Sequence, residues 1–446
     1  MTKRITAIFI IFLLALPIAA ADGTNAPRLI TIRDGIKKVL EDSHLVKISE
    51  ANKEISAQEV SMARSPLLPQ VNASFSETFL NHQPTAKFGI LNVPTADRNF
   101  FSLGADVYQT IFDFGKSYYG YKASKALLDS SVTDIGRIKN IAVLEFIITY
   151  FDCLDSEKMV AVNQSEIDSI SSYLKDVQTM YDEGAAVKND LLSAEVRLSD
   201  AQQRLITARN LKDNVAAKLC NILVIPMEES IAVSEFDMAP PEIPALDHSY
   251  RTAEEQRPEI KIVDDQIRAT SLFEKSNRAK NYPELFADGG YSMTQNRYMV
   301  HDDTMAFTLG VKVNAFDGGL AKAEADRERF RRAQLEEERK KLVDDVKLEV
   351  KDSFNNLNDA AEKVKVTKEA VAQAEENVRL YREKYADGSA TSTEVLDSIT
   401  MQKNAQTNYY RADYELKRSY ARLMYSMGIN MAMIYEKMEN TRNGAE

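Results

Sequence analysis

The chain has 446 residues, enough for two or three ordinary domains or one large repeated one. Its net charge of −11 argues against nucleic acid as a partner, and four histidines and two cysteines leave little material for a metal or nucleophile site. His44, His82, His248 and His301 are scattered without an acid or nucleophile at helpful spacing, so neither an enzyme nor a cofactor is expected. At the start, Lys3 and Arg4 precede an apolar run from Ile5 to Ile18, and Ala19-Ala20-Ala21 offers a small-residue cleavage site. Residues 1–21 therefore read as a secretory signal peptide, and no cysteine follows the cleavage site to carry a lipid. Beyond it no apolar run approaches the roughly 18 residues of a spanning helix. That leaves a protein soluble outside the cytoplasm, or one that crosses a membrane as a β-barrel.

The mature chain repeats one plan twice, over 22–238 and 245–430, with "APPEIP" at 239–244 as the linker. In the first repeat a helix runs from Thr31 to Arg64 and is stopped by Pro66 and Pro69. "QVNASFSETFL" and "FFSLGADVYQTIF" form a strand pair around the loop 81–98, and helical text runs from Lys116 to about Asp182. In the second repeat a helix from about Leu246 ends before Pro283, and "LFADGGYSMTQ" and "TMAFTLGVKVNAF" are strands around the loop 297–303. A helix then continues to Tyr385. The residues 431–446 read as a short polar tail to which no role is assigned.

Three patterns fix what these elements are. In the last strand Met305, Phe307, Leu309, Val311, Val313 and Ala315 share one face, and Ala306, Thr308, Gly310, Lys312 and Asn314 the other. Strict period two over some eleven residues is the signature of a tilted membrane strand. Phe101, Leu103, Ala105 and Val107 repeat it against Ser102, Gly104, Asp106 and Tyr108. In the long helix Val343, Val350, Leu357, Val364, Val371, Val378 and Tyr385 recur every seven residues, beside a seam of Val346, Ser353, Ala360, Thr367, Ala374 and Tyr381. A heptad held this long means supercoiled packing on other helices, close where the residues are small. About 67 residues make a helix of roughly 100 Å, which two moderate helices stacked end to end can parallel.

The third pattern is a repeated turn. "YDEGAAVKNDLLSAEVRLSDAQ" at 181–202 matches "YADGSATSTEVLDSITMQKNAQ" at 385–406, pairing Gly184 with Gly388, Ala186 with Ala390 and Asp190 with Glu394. The corner "FDFG" at 112–115 likewise matches "FDGG" at 316–319. Four strands cannot close a barrel, which needs about eight even for a packed interior, so the chain must pool strands with other copies. A dimeric eight-stranded barrel and larger assemblies both satisfy that count.

With its doubled plan, its two corners and its paired Y-x-x-G turns, each followed six residues later by an acid, the mature chain resembles the TolC-like outer membrane efflux proteins. The resemblance implies a mainly α fold with a membrane β-barrel: a homotrimer with a long α-helical coiled-coil barrel in the periplasm and a shared twelve-stranded β-barrel in outer membrane lipid. It further implies export of small molecules, with the turns at Gly184, Ala186, Gly388 and Ala390 as tips that dock a periplasmic adaptor (membrane fusion) protein and an inner-membrane transporter. Carried over, the aperture acids fall on Glu394 and Asp397, three apart on one helical face. Six carboxylates in a ring would attract cations. The competing assignment is helix-start chemistry, with Thr393 as N-cap; Asp190, paired in the repeat with a serine at 193 rather than a second acid, does only that. Some members carry an arginine two residues after the second tip glycine as a latch, whereas this chain has Ala390 there.

Cys153 and Cys220 lie symmetrically about the turn after Gly184, at one height on adjacent antiparallel helices. They can pair in an oxidising compartment if their Cα atoms lie within about 7 Å; the alternative is two separate buried thiols. Two rival functions remain at this stage. One is the outer membrane component of a type I protein secretion system. The other is a structural coiled coil of the cell envelope, which leaves the two strand pairs and their identical corners without a purpose.

Overall fold

The computed structural model describes residues 28–236 and 243–443, so the signal peptide and most of the 239–244 linker lie outside the described residues. Two short N-terminal helices, α1 (Ile32–Asp42) and α2 (His44–Arg64), follow strand β1 (Arg28–Ile30). Strand β2 (Gln70–Phe79), a small hairpin of β3 (Thr85–Phe88) and β4 (Leu91–Pro94), and β5 (Asn99–Phe112) lead into α3 (Lys116–Asp182) and α4 (Lys188–Ile222). After β6 (Ile231–Val233) the plan recurs as α5 (Leu246–Gln256), α6 (Pro258–Ala279), β7 (Glu284–Thr294), β8 (Asp303–Lys312), α7 (Leu320–Ala386) and α8 (Ser392–Ser426), closed by α9 (Met431–Asn443).

The duplication is residue-accurate where it matters. Both long helices have 67 residues and both following helices have 35, and Lys116 to Leu320 and Lys188 to Ser392 are each 204 positions apart. Between its strands the second repeat is shorter, because the first carries the β3–β4 hairpin there. Each moderate N-terminal helix is broken into two, which the continuous helical text did not anticipate. Pro258 starts α6 at a position where its missing N–H costs nothing, and Ser43, with a non-helical ψ of 129°, separates α1 from α2.

The sheet order is β2-β5-β7-β8, antiparallel throughout, so the two repeats meet at β5–β7 and leave β2 and β8 as open edges. Register puts Phe75 opposite Leu103, Ala105 opposite Tyr291, and Gly289 opposite Phe307 on one face. Ser74, Gly104 and Ser292 align on the other, with Asp106 opposite Gly290 beside them. The apolar face is bare: Met305 is 83% exposed and Phe307 77%. Strand β8 stops at Lys312, short of Val313 and Ala315, because its partner β7 begins at Glu284, directly after a proline that cannot extend the ladder. No helix among the described residues is long and apolar enough to cross a membrane.

The corners explain their own motif. Gly115 and Gly319 hold left-handed φ values of 89° and 88° at the head of each long helix. The carboxylates of Asp113 and Asp317 accept backbone N–H groups of the first turn, from Gly115 and Ser117 at 3.1 and 2.8 Å and from Gly319 and Ala321 at 2.9 Å each. Those donors hold the Asp317 carboxyl below its usual range. Each aspartate thus satisfies orphan amides that open the helix, while the glycine turns the chain out of the sheet.

Helix α3 packs on α2 near the sheet and on α4 beyond it; α7 pairs with α6 and then α8. Every position of the two predicted seams on α7 is buried or half-buried. Midway along the long helices lies the main core, where Phe146, Tyr150 and Phe151 of α3 meet Ile36, Leu357 and Leu423. Gly35 makes room there: a Cβ on it would stand 2.0 Å from the Phe146 ring. Short strands β1 and β6, parallel to each other, close this region. The segment after Met427 is no polar tail, since Met431 and Tyr435 of α9 are fully buried in the same core.

Candidate functional site: the helical tips

At the far end from the sheet each hairpin turns on one glycine. Gly184 and Gly388 adopt φ of 77° and 71°, and both turns close with the same bonds. Ala185 N–H donates to Met180 O at 2.7 Å, Ser389 N–H to Lys384 O at 2.8 Å. This is the helix-ending turn in which a left-handed glycine lets the next amide cap a carbonyl one turn back. Ala186 and Ala390, half-buried, pack on a second core of Ile170, Tyr173 and Val177 with Ala194, Val395 and Leu396. The tip-facing ends of α3, α4, α7 and α8 all contribute to that core, so the two tips form one unit.

The acids differ in what they do. Thr391, not Thr393, is the N-cap of α8, and it forms a capping box with Glu394. The Glu394 carboxylate accepts the Thr391 N–H at 2.7 Å and its hydroxyl at 2.8 Å, and Glu394 N–H donates back to the Thr391 hydroxyl at 3.4 Å. The backbone N–H and then the hydroxyl of Thr391 hold the Glu394 carboxyl below its usual range. The choice among three successive hydroxyl residues was legible, because the box requires a Ser or Thr three residues before the acid. Glu394 is therefore a helix-start residue that also stays solvent-exposed.

Asp397, one turn further, accepts from Arg197 of α4 at 3.1 Å. Asp190 is not only a helix-start residue, because it accepts the Tyr385 hydroxyl at 3.3 Å from the other hairpin. The Tyr385 ring stands edge-on to Tyr173 with centroids 5.4 Å apart. These two contacts join the first repeat to the second. A groove of about 490 Å³ runs between α4 and α8, lined by Leu192, Val196, Arg197, Asp200 and Leu396 among others. Arg197 escaped the sequence reading because nothing local to "EVRLS" says which face of α4 meets α8.

Cys153 and Cys220 are both buried and are not bonded to each other in this structure. Burial first, then the carboxylates of Glu157 and Asp152, push the Cys153 thiol up to about 12; Cys220 is raised as well, and its thiol points at Glu229 O at 3.9 Å. A buried, electronegative setting disfavours the thiolate that disulfide formation requires. At the opposite end of the molecule the loops between the strands clasp each other. Arg297 Nε donates to Asp97 at 2.5 Å and its N–H to the same carboxylate at 3.2 Å, while Gln83 donates to the Tyr298 hydroxyl at 3.0 Å.

A sheet with one bare apolar face, joined through two glycine corners to helices that end in paired tips, matches a known architecture. The family model described as outer membrane efflux protein matches residues 35–223 and 249–429. The chain belongs to the outer membrane efflux protein family. Outer membrane protein TolC of Escherichia coli (strain K12) is 22% identical over 388 residues, which cover 82% of this chain and 76% of TolC. Proteases secretion protein PrtF of Dickeya chrysanthemi is 18% identical over 406 residues, covering 89% of this chain and 87% of PrtF. Among solved structures, the outer membrane protein VceC from Vibrio cholerae superposes with a TM-score of 0.79 at 13% identity, covering 90% of this chain and 96% of VceC. This outer membrane efflux protein therefore has the fold of the outer-membrane channels: a membrane sheet with a helical body reaching into the periplasm. The family's work is efflux, not catalysis.

Proposed function

We propose that this outer membrane efflux protein is a homotrimeric conduit. Three copies pool their four strands into a twelve-stranded barrel, and their helices continue the passage through the periplasm. The tips at Gly184, Ala186, Gly388 and Ala390 meet a periplasmic adaptor fed by an inner-membrane transporter, and Glu394 and Asp397 line the narrow end. Small molecules are the cargo. The observation that carries this reading is the four-stranded sheet with open edges at β2 and β8. It has an apolar outer face and a face bearing Asn72, Asp106, Asp288 and Thr308 within. Such a sheet buries its edges and its polar face only by closing with further copies.

Native mass measurement of the detergent-extracted protein tests the closure. Three copies are expected, and two would mean an eight-stranded barrel instead. For cargo, accumulation of a fluorescent dye in cells with and without the chain is the test, and retention of dye without it is the expected result. PrtF, named for protease secretion, sets the contrary outcome: unchanged dye export together with loss of a secreted protein would make this a protein-secretion conduit.

A further inference from the structure

Arg197 reaches across 200 sequence positions from α4 to the Asp397 carboxylate on α8, at 3.1 Å. The duplication makes this pair informative. At the 204-residue offset, Asp397 corresponds to Ser193 and Arg197 to Met401, so the repeat-related contact would join Met401 to Ser193, two uncharged residues. The pair sets an acid on one hairpin against a base on the other, and the repeat-related positions carry no such charges. Helix-end chemistry does not demand it. Glu394 already completes the cap of α8, and Asp397 lies beyond the first turn, where the pull of the helix terminus has faded. Nor is stability a sufficient reason, because the two side chains remain 40% and 54% exposed and such pairs contribute little.

What the pair does change is the field at the tip. An isolated carboxylate in a narrow passage concentrates cations; a guanidinium in contact with it cancels that field within a few ångströms. We propose that Arg197 sets the ion selectivity of the periplasmic aperture by neutralising Asp397 within each protomer, so that Glu394 supplies the net negative charge of the ring. The inference rests on the reading above that Glu394 and Asp397 line the aperture. Counted over these three residues, each protomer contributes one net negative charge. Arg197→Gln raises that to two, and Asp397→Asn lowers it to none.

Reversal potentials of the full-length protein in planar bilayers under a KCl gradient measure this directly. Arg197→Gln is expected to raise the potassium-to-chloride permeability ratio about threefold, and Asp397→Asn to lower it by a similar factor. Arg197→Lys should keep the wild-type ratio, and the Arg197→Gln, Asp397→Asn double variant should return close to it. Asp397→Asn reads the same charge independently if Arg197→Gln does not insert. An unchanged ratio in Arg197→Gln, with Glu394→Gln lowering it, overturns the role of Arg197 while the aperture stands. Unchanged ratios in Arg197→Gln, Asp397→Asn and Glu394→Gln alike remove the aperture assignment and this inference with it.

Discussion

The two tips are built on one backbone and two chemistries. Turn for turn they superimpose in sequence, with a left-handed glycine, an alanine two residues on and a 35-residue helix leading away. Yet α8 opens with a hydroxyl, Thr391, and a full capping box, whereas α4 opens with Val187, which has no side-chain oxygen to offer. One turn further the second tip has Asp397 and the first has Ser193. What was kept through duplication is the backbone conformation, because nothing but glycine fits that turn cheaply. What diverged is the exposed polar chemistry, which the fold does not dictate. Divergence within a conserved turn marks the positions where function can be written.

The same contrast between kept geometry and altered side chain can be broken most severely in the core. Gly35 on α1 stands against Phe146, where the second repeat has the buried Ser249 on α5. Gly35→Ala should destabilise by about 1–3 kcal/mol through overpacking, whereas Ser249→Ala should be nearly silent; thermal unfolding of the extracted protein separates them. At the turns themselves, Gly184→Ala and Gly388→Ala should each cost about 1 kcal/mol. Equality of the two is the point, and hydrogen exchange of the tip amides measures it.

Smaller effects should appear only in the second tip. Thr391→Ala removes the capping box and should cost about 0.5–2 kcal/mol locally, seen as faster exchange in the first turn of α8 with α4 unchanged. Because the Glu394 carboxyl is held below its usual value in the folded chain, its contribution is present at neutral pH and is lost as pH falls through that lowered value. Acidification through that lowered value, below the ordinary glutamate range, should therefore loosen the first turn of α8, and in Glu394→Gln that added sensitivity should vanish.

Much of this architecture was legible in the sequence, for reasons that are physical. Period two in β8 survived because lipid and pore impose opposite demands on alternate residues, and the observed register keeps every one of Met305, Phe307, Leu309 and Val311 on the apolar face. The heptads of α7 survived because a seam buried along its length tolerates no slip. The short strands β1 and β6, three residues each, carry no period to detect. Helix α9 was concealed by its charge, although Met431, Ile434, Tyr435 and Met438 recur at helical spacing and pack on the core. At the tips the glycines and the capping acid are local signals and could be found. The Arg197–Asp397 and Tyr385–Asp190 contacts depend on how two helices from different repeats are rotated against each other, which no local pattern records.

Single-channel recording in planar bilayers tests the central claim most directly, comparing the wild type with the Glu394→Ala, Asp397→Ala double variant. A conduit closed by the tips predicts discrete, small, cation-selective steps that grow and lose their preference for cations in the double variant. Well-folded protein that gives no steps at all would contradict it, and would leave the strand pairs and their glycine corners as parts of a non-conducting envelope protein.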